Sequence, residues 1–148
     1  MKVKLIETMN FSELVSLLIE EGLELTKNTP TPEGMISCIE LIELHSGLRI
    51  GCGVVIEYCQ EIVLRYVAIK KEFQRKGYGS QIVERALEIA KEKGASRLVL
   101  TAKAPGFYEK LNFKTLAAAN YPFENNCTSC KRFHHGCESE MMEYVFEQ

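Results

Sequence analysis

The sequence predicts an α/β (α+β) fold: a mixed, mostly antiparallel central sheet with one βαβ crossover and helices on both faces. Three observations predict it. Three β-rich runs, residues 36–44, 48–57 and 61–69, follow one another with only short turns between them. A glycine-containing loop then joins the last run to an amphipathic segment over residues 79–93, where Ile82, Val83, Ala86, Leu87, Ile89 and Ala90 recur at helical spacing. Residues 97–101 read as strand again, so strand, helix and strand make a parallel crossover unit.

In chain order, Val3 and Leu5 alternate with lysines in a short first strand. Asn10 with Glu13 three residues on has the form of a capping pair opening a helix, whose buried face is Leu14, Val15, Leu17, Leu18 and Ile19. Gly22 weakens that helix, and residues 28–34, with two prolines and a glycine, form a loop of the kind that often borders a site. The three β runs then form an antiparallel meander with turns at His45-Ser46-Gly47 and near Tyr58-Cys59-Gln60. Apolar residues occupy both faces of the third run, which makes it the central strand, covered on both sides. Gly51 and Gly53 mark a bulge or a close backbone approach. Gly94 stops the crossover helix. Pro105 opens a short helix over residues 105–111, and residues 113–116 and 142–146 are expected as the last strands.

The 148 residues suit a single domain over residues 1–148 with one sizeable core. A net charge of −2 argues against a surface for nucleic acid, and no stretch approaches the roughly 20 apolar residues that span a bilayer. With no segment of signal-peptide form, the expected location is cytoplasmic, and the six cysteines read as reduced thiols or metal ligands rather than a disulfide framework.

The loop from Gln74 to Ser80 is the most informative stretch. The first N–H groups of a helix lack internal partners and lie at the positive end of its dipole, which suits a phosphate or pyrophosphate. Lys70, Lys71, Arg75 and Lys76 add local positive charge, and Gly77 and Gly79 allow close approach. A P-loop would need a pattern that is absent, and a dinucleotide fingerprint would need a third glycine where Ile82 stands. Neither nucleotide fold is supported.

Gln74-Arg75-Lys76-Gly77-Tyr78-Gly79 matches Q/R-x-x-G-x-G/A, and Ala104-Pro105-Gly106-Phe107-Tyr108-Glu109-Lys110-Leu111-Asn112-Phe113 is similar to A-x-x-F-Y-x-K-x-G-F. Over about residues 1–116 the chain thus resembles the GNAT acyltransferases. The resemblance implies acyl transfer from acetyl-CoA to an amine, a small molecule or a peptide, by direct attack in a ternary complex. It implies that Val67, Ala68 and Ile69 line the pantetheine arm, chiefly through the backbone of Val67 and Ile69. It also implies that Gln74, Arg75, Lys76, Gly77, Tyr78, Gly79 and Ser80 hold the pyrophosphate end. Tyr108 matches the position that protonates the departing thiolate, and Glu61 is the candidate base, with Glu57 its rival. Pairing of two copies through the C-terminal strands is a family-level expectation. Two departures stand out: Asn112 replaces the usual glycine, and residues 101–104 lack an asparagine that many relatives carry. The alternatives are a non-catalytic acyl-CoA-binding regulator and a zinc-stabilised interaction module on the same scaffold.

The zinc alternative comes from a Cys/His-rich insertion at about residues 120–140. Cys127 and Cys130 form a half-site, and Cys137 with His134 or His135 could complete a tetrahedral set; the set read here is Cys127, Cys130, His135 and Cys137. Reduced thiols packing a long loop are the competing reading.

Overall fold

A computed structural model describes residues 2–23, 25–117, 120–122 and 140–147. Its elements are β1 (Val3–Thr8), a 3-10 turn (Phe11–Leu14), α1 (Val15–Glu20), β2 (Met35–Glu43), β3 (Arg49–Tyr58) and β4 (Glu61–Ile69). After a second 3-10 turn (Lys71–Phe73) come α2 (Tyr78–Glu92), β5 (Arg97–Ala102), α3 (Pro105–Glu109), β6 (Lys114–Thr115) and β7 (Glu140–Val145). The strands form one sheet in the order β1-β2-β3-β4-β5-β7-β6, and its single parallel pair is β4 with β5.

The meander forms within a residue of its expected bounds. Cys59 and Gln60 turn β3 into β4 with φ of +51° and +65°. Two positive φ values make the kind of two-residue turn whose twist matches that of the flanking strands, here without a glycine. The middle strand is β4, buried on both sides as expected. Ile62 and Leu64 face a core with Ile82, Val83, Ala86, Ile89 and Ala90 of α2, whereas Val63 and Ala68 face a second core with Phe11, Leu14, Leu17 and Leu18. Each large aliphatic side chain so buried contributes about 1.5–3 kcal/mol. Gly53 allows α2 to sit this close, since a Cβ there would lie 2.7 Å from an Ile82 methyl carbon.

Three local expectations are corrected. Asn10 and Glu13 do not form a reciprocal cap: Asn10 accepts from the Ser12 hydroxyl at 2.7 Å, and Glu13 pairs with Arg49 of β3 at 3.4 Å. Arg49 also donates to the Glu13 carbonyl at 3.0 Å and pairs with Glu40, a buried carboxylate, so it pins the first turn to the sheet. Gly22, read as a weakness inside a helix, instead ends it. Gly22 has φ +92°, its N–H donates to Ile19 and that of Leu23 donates to Leu18, which together satisfy the last carbonyls of α1. Gly94 stops α2 in the same way through Lys91 and Ala90. The short strands at the end also shift: β6 is only Lys114–Thr115, and β7 begins at Glu140.

Candidate active site

The site begins with a failure of strand pairing. β4 and β5 are in register only at Ile62↔Leu98 and Val63↔Val99, although both strands continue well past those pairs. Beyond Val63 they diverge and leave a gap. A bulge accompanies the divergence: Cys52↔Ala68 and Val54↔Arg65 are paired, so Tyr66 and Val67 of β4 together face Gly53. Tyr66 takes φ +56°, an uncommon conformation for a bulky residue.

The ladder on the other side of β4 decides which groups line the gap. Lys70 N–H donates to Ile50 O at 2.8 Å, and the register continues as Ile69↔Gly51 and Ala68↔Cys52. Antiparallel ladders alternate, so Ala68 directs its backbone to β3, whereas Val67 and Ile69 direct theirs into the gap. Ala68 therefore contributes no backbone group there. Its side chain is buried in the core under α1.

At the end of β4 the chain turns into α2. Gln74 folds back, its amide donating to Ile69 O at 2.9 Å and to Glu21 at 3.3 Å, so it braces the loop against β4 and the end of α1. Arg75 and Gly77 both have positive φ, +64° and +86°, and no side chain caps α2. The first N–H groups of this 15-residue helix, at Tyr78, Gly79 and Ser80, are thus left without a side-chain cap, at the positive end of its dipole. Lys71, Arg75 and Lys76 are exposed around them. The two glycines serve different needs. Gly77 supplies a conformation, with no atom within 4 Å of a Cβ; Gly79 supplies space, since its Cβ would lie 3.1 Å from the Phe107 ring.

That contact ties the loop to α3, which carries Tyr108. After α3 the chain reverses through Asn112, which adopts φ +72° in place of a glycine. Asn112 N–H donates to Glu109 and Phe113 N–H to Tyr108, both at 3.0 Å, so the rings of Tyr108 and Phe113 meet at 5.6 Å. Phe107 closes the other side at 4.9 Å. Tyr108 is 9% exposed, and burial pushes its phenol up to about 12. Its hydroxyl makes no hydrogen bond among the described residues. At neutral pH it is a protonated donor with nothing yet to donate to.

Glu61 lies at the start of β4, on the paired side of the divergence. Both its oxygens engage Arg97 of β5, at 2.7–3.2 Å, and Arg97 reaches Glu143 of β7 at 3.1 Å. Three strands are bracketed at the end where the sheet is still continuous. The carboxylates in turn hold the Arg97 guanidinium above its usual range, Glu61 most of all. Glu57 is exposed near the same turn. The bracket joins residues 36 and 46 positions apart, a separation over which the sequence carries no pairing signal.

Residues 38–115, just over half of the chain, match the family described as acetyltransferase (GNAT) domain. This protein belongs to the GNAT acetyltransferase family. It is 26% identical over 91 residues to an uncharacterised N-acetyltransferase of Chlorobaculum tepidum, covering 60% of this chain and 59% of that one. It is 30% identical over 115 residues to the amino-acid acetyltransferase of Aeromonas salmonicida, covering 76% of this chain but only 26% of the relative. Among solved structures, N-acetylglutamate synthase from Neisseria gonorrhoeae, complexed with coenzyme A and N-acetyl-glutamate, superposes with a TM-score of 0.71 at 18% identity, over 100% of this chain and 36% of that chain. That likeness establishes the shared fold.

In this GNAT domain the cysteine set Cys127, Cys130, His135 and Cys137, with His134, lies outside the described residues. Among those described, no group of three or more His, Cys, Asp or Glu side chains is arranged to hold a metal ion. Cys38 and Cys52 are buried free thiols pushed up to about 11 and about 12, chiefly by burial, which keeps them protonated and unreactive. Cys59 is free and exposed at the β3–β4 turn. Among the described residues no helix is long and apolar enough to cross a membrane.

Proposed function

We propose that this chain transfers an acetyl group from acetyl-CoA to an amine within a ternary complex. The observation that carries the proposal is the gap between β4 and β5, with the uncapped start of α2 at one end and α3, which carries the Tyr108 phenol, packed against Gly79 of that helix. Acetyl-CoA lies along the outward backbone of Val67 and Ile69, with its pyrophosphate at Arg75–Ser80 and its thioester where the strands diverge. A neutral amine attacks the thioester carbon, the new C–N bond forms, and the C–S bond breaks. The departing sulfur takes a proton from Tyr108, the amine's proton passes to water, and water returns a proton to the Tyr108 oxygen. Near-attack positioning supplies much of the acceleration, since the thioester is already activated. Glu61 is engaged with Arg97 and is read as part of the strand bracket, not as the base.

The names of the relatives support a small amine acceptor, an amino acid among them. The free thiols Cys38, Cys52 and Cys59 support a reducing, cytoplasmic setting. Calorimetric titration with acetyl-CoA, followed by CoA-release assays over a panel of amines, tests the reading. One-to-one binding and amine-dependent release are expected. Binding without release for any amine would favour a non-catalytic acyl-CoA-binding regulator, and absence of binding would overturn both.

A further inference from the structure

The acetyl-transfer reading leaves one conspicuous cation unused. Arg65 lies two residues past Val63, the last β4 residue paired with β5, and pairs with Val54 at the bulge. It is half-buried, yet it has no carboxylate within ion-pairing distance among the described residues. Among the described residues its one side-chain partner is an aromatic face: the guanidinium carbon lies 5.1 Å from the centre of the Tyr66 ring. Half-burying a guanidinium removes water that a counterion would ordinarily replace, and the ring compensates only in part.

The strand pattern places this group. Val63 and Ala68 belong to the core under α1, and Tyr66 packs against that same core with its ring 5.8 Å from Phe11. Leu64 and Val67 belong to the opposite core, beneath α2, which also holds Tyr108. Alternation assigns Arg65 to the α1 side, and the extra bulge residue keeps Tyr66 on that side too. Past Val63, β4 thus has the core that holds Tyr108 on one face and Arg65 with Tyr66 on the other. The Tyr66 hydroxyl, like Arg65, has no hydrogen-bond partner among the described residues. Tyr66 also sits in a left-handed conformation that strains a bulky residue and re-aims its side chain.

Phosphate is not the natural ligand here. Arg65 stands four strand positions before Ile69, a rise of up to about 13 Å from the loop that leads into α2. What remains at the divergence point is the acceptor. We propose that Arg65, with the Tyr66 hydroxyl, binds a carboxylate on the acceptor, so that the substrate class is a small amine that also carries a carboxylate, as α-amino acids do. The planar guanidinium fork suits a carboxylate taken by two N–H groups at once, and this holds the amine on the face opposite Tyr108. The inference rests on the acetyl-transfer reading.

The test reads binding apart from chemistry. CoA-loaded wild-type protein is titrated calorimetrically with a panel of L-α-amino acids and with the matched α-carboxamides. At least one amino acid is expected to bind about tenfold or more tightly than its amide, the range for a charge-assisted hydrogen bond. Arg65→Gln should erase that preference while leaving amide and CoA affinity unchanged, Arg65→Lys should keep part of it, and Tyr66→Phe should weaken it. Equal binding of acid and amide to the wild type, no binding by any member of the panel, or a preference that survives Arg65→Gln would each overturn the proposal. Carboxylate-selective binding without acetylation would instead overturn the transfer reading alone, and acetylation of amines regardless of a carboxylate would overturn this one alone.

Discussion

Tyr108→Phe is expected to lower kcat by about 10²-fold, the lower end of what a positioned proton donor contributes, with the affinity for acetyl-CoA unchanged. The separation of the two effects follows from the packing. The ring of Tyr108 is held by Phe107 and Phe113 at 4.9 and 5.6 Å, and phenylalanine keeps both contacts. Only the hydroxyl is lost, and it is bonded to no other described residue. The pH profile sharpens the prediction. Burial raises the Tyr108 phenol to about 12, above its ordinary value near 10, so the donor stays protonated throughout the neutral and mildly alkaline range. Turnover should therefore not fall on the alkaline side below about pH 10 through loss of this proton. An alkaline limb near pH 9 that disappears in Tyr108→Phe, or unchanged kcat in that variant, would contradict the assignment.

The largest expected effect on stability lies elsewhere, at the loop that leads into β2. Gly34 has φ +77°, and a Cβ there would stand 2.2 Å from the backbone oxygen of Glu57. The obstacle is backbone in β3, and it cannot rotate away as a side chain would. Gly34 also accepts the Glu57 N–H at 2.8 Å, so relieving the clash means giving up that bond and the register at the start of β2. Gly34→Ala should cost about 2–4 kcal/mol, combining the left-handed penalty with overpacking. Gly47 is the control. It has φ +72° in the β2–β3 turn, but no atom lies within 4 Å of its Cβ, so Gly47→Ala should lose only the backbone term, about 1 kcal/mol. Urea unfolding of the two variants measures the difference. Equal losses would mean that the Gly34 contact with Glu57 is relieved without cost.

The parts of the fold legible in the sequence are those set by local chemistry. Cys59 and Gln60 were readable as a tight turn because two strand-like runs left room for nothing longer, and β4 was readable as central because Ile62, Val63 and Leu64 leave it no polar face. Asn112 was readable as a left-handed stand-in for glycine, because its own side chain tolerates that backbone. The bulge was readable only from its β3 side, where Gly53 marks it. That Tyr66 is the extra residue was not, since it depends on Ile82 of α2, which presses onto that glycine, and a one-residue offset leaves almost no trace in composition. Glu61 reads as a candidate base from its place at the start of the central strand; its engagement with Arg97 is visible only with β4 and β5 side by side. The same holds for Arg65, whose meaning comes from lacking a nearby carboxylate among the described residues, a property no sequence window displays. Gly22 was misread because a glycine that ends a short helix and one that weakens a longer helix look alike until the hydrogen bonds to Ile19 and Leu18 are traced.

The central claim is that the divergence of β4 from β5 is the acetyl-CoA cleft. A crystal structure of the protein with CoA bound tests it most directly. The account predicts the pantetheine amides bonded to the backbone of Val67 and Ile69, the pyrophosphate at the N–H groups of Gly77–Ser80, and the sulfur within hydrogen-bonding reach of the Tyr108 hydroxyl. CoA bound outside this gap, or a sulfur remote from Tyr108, would contradict it.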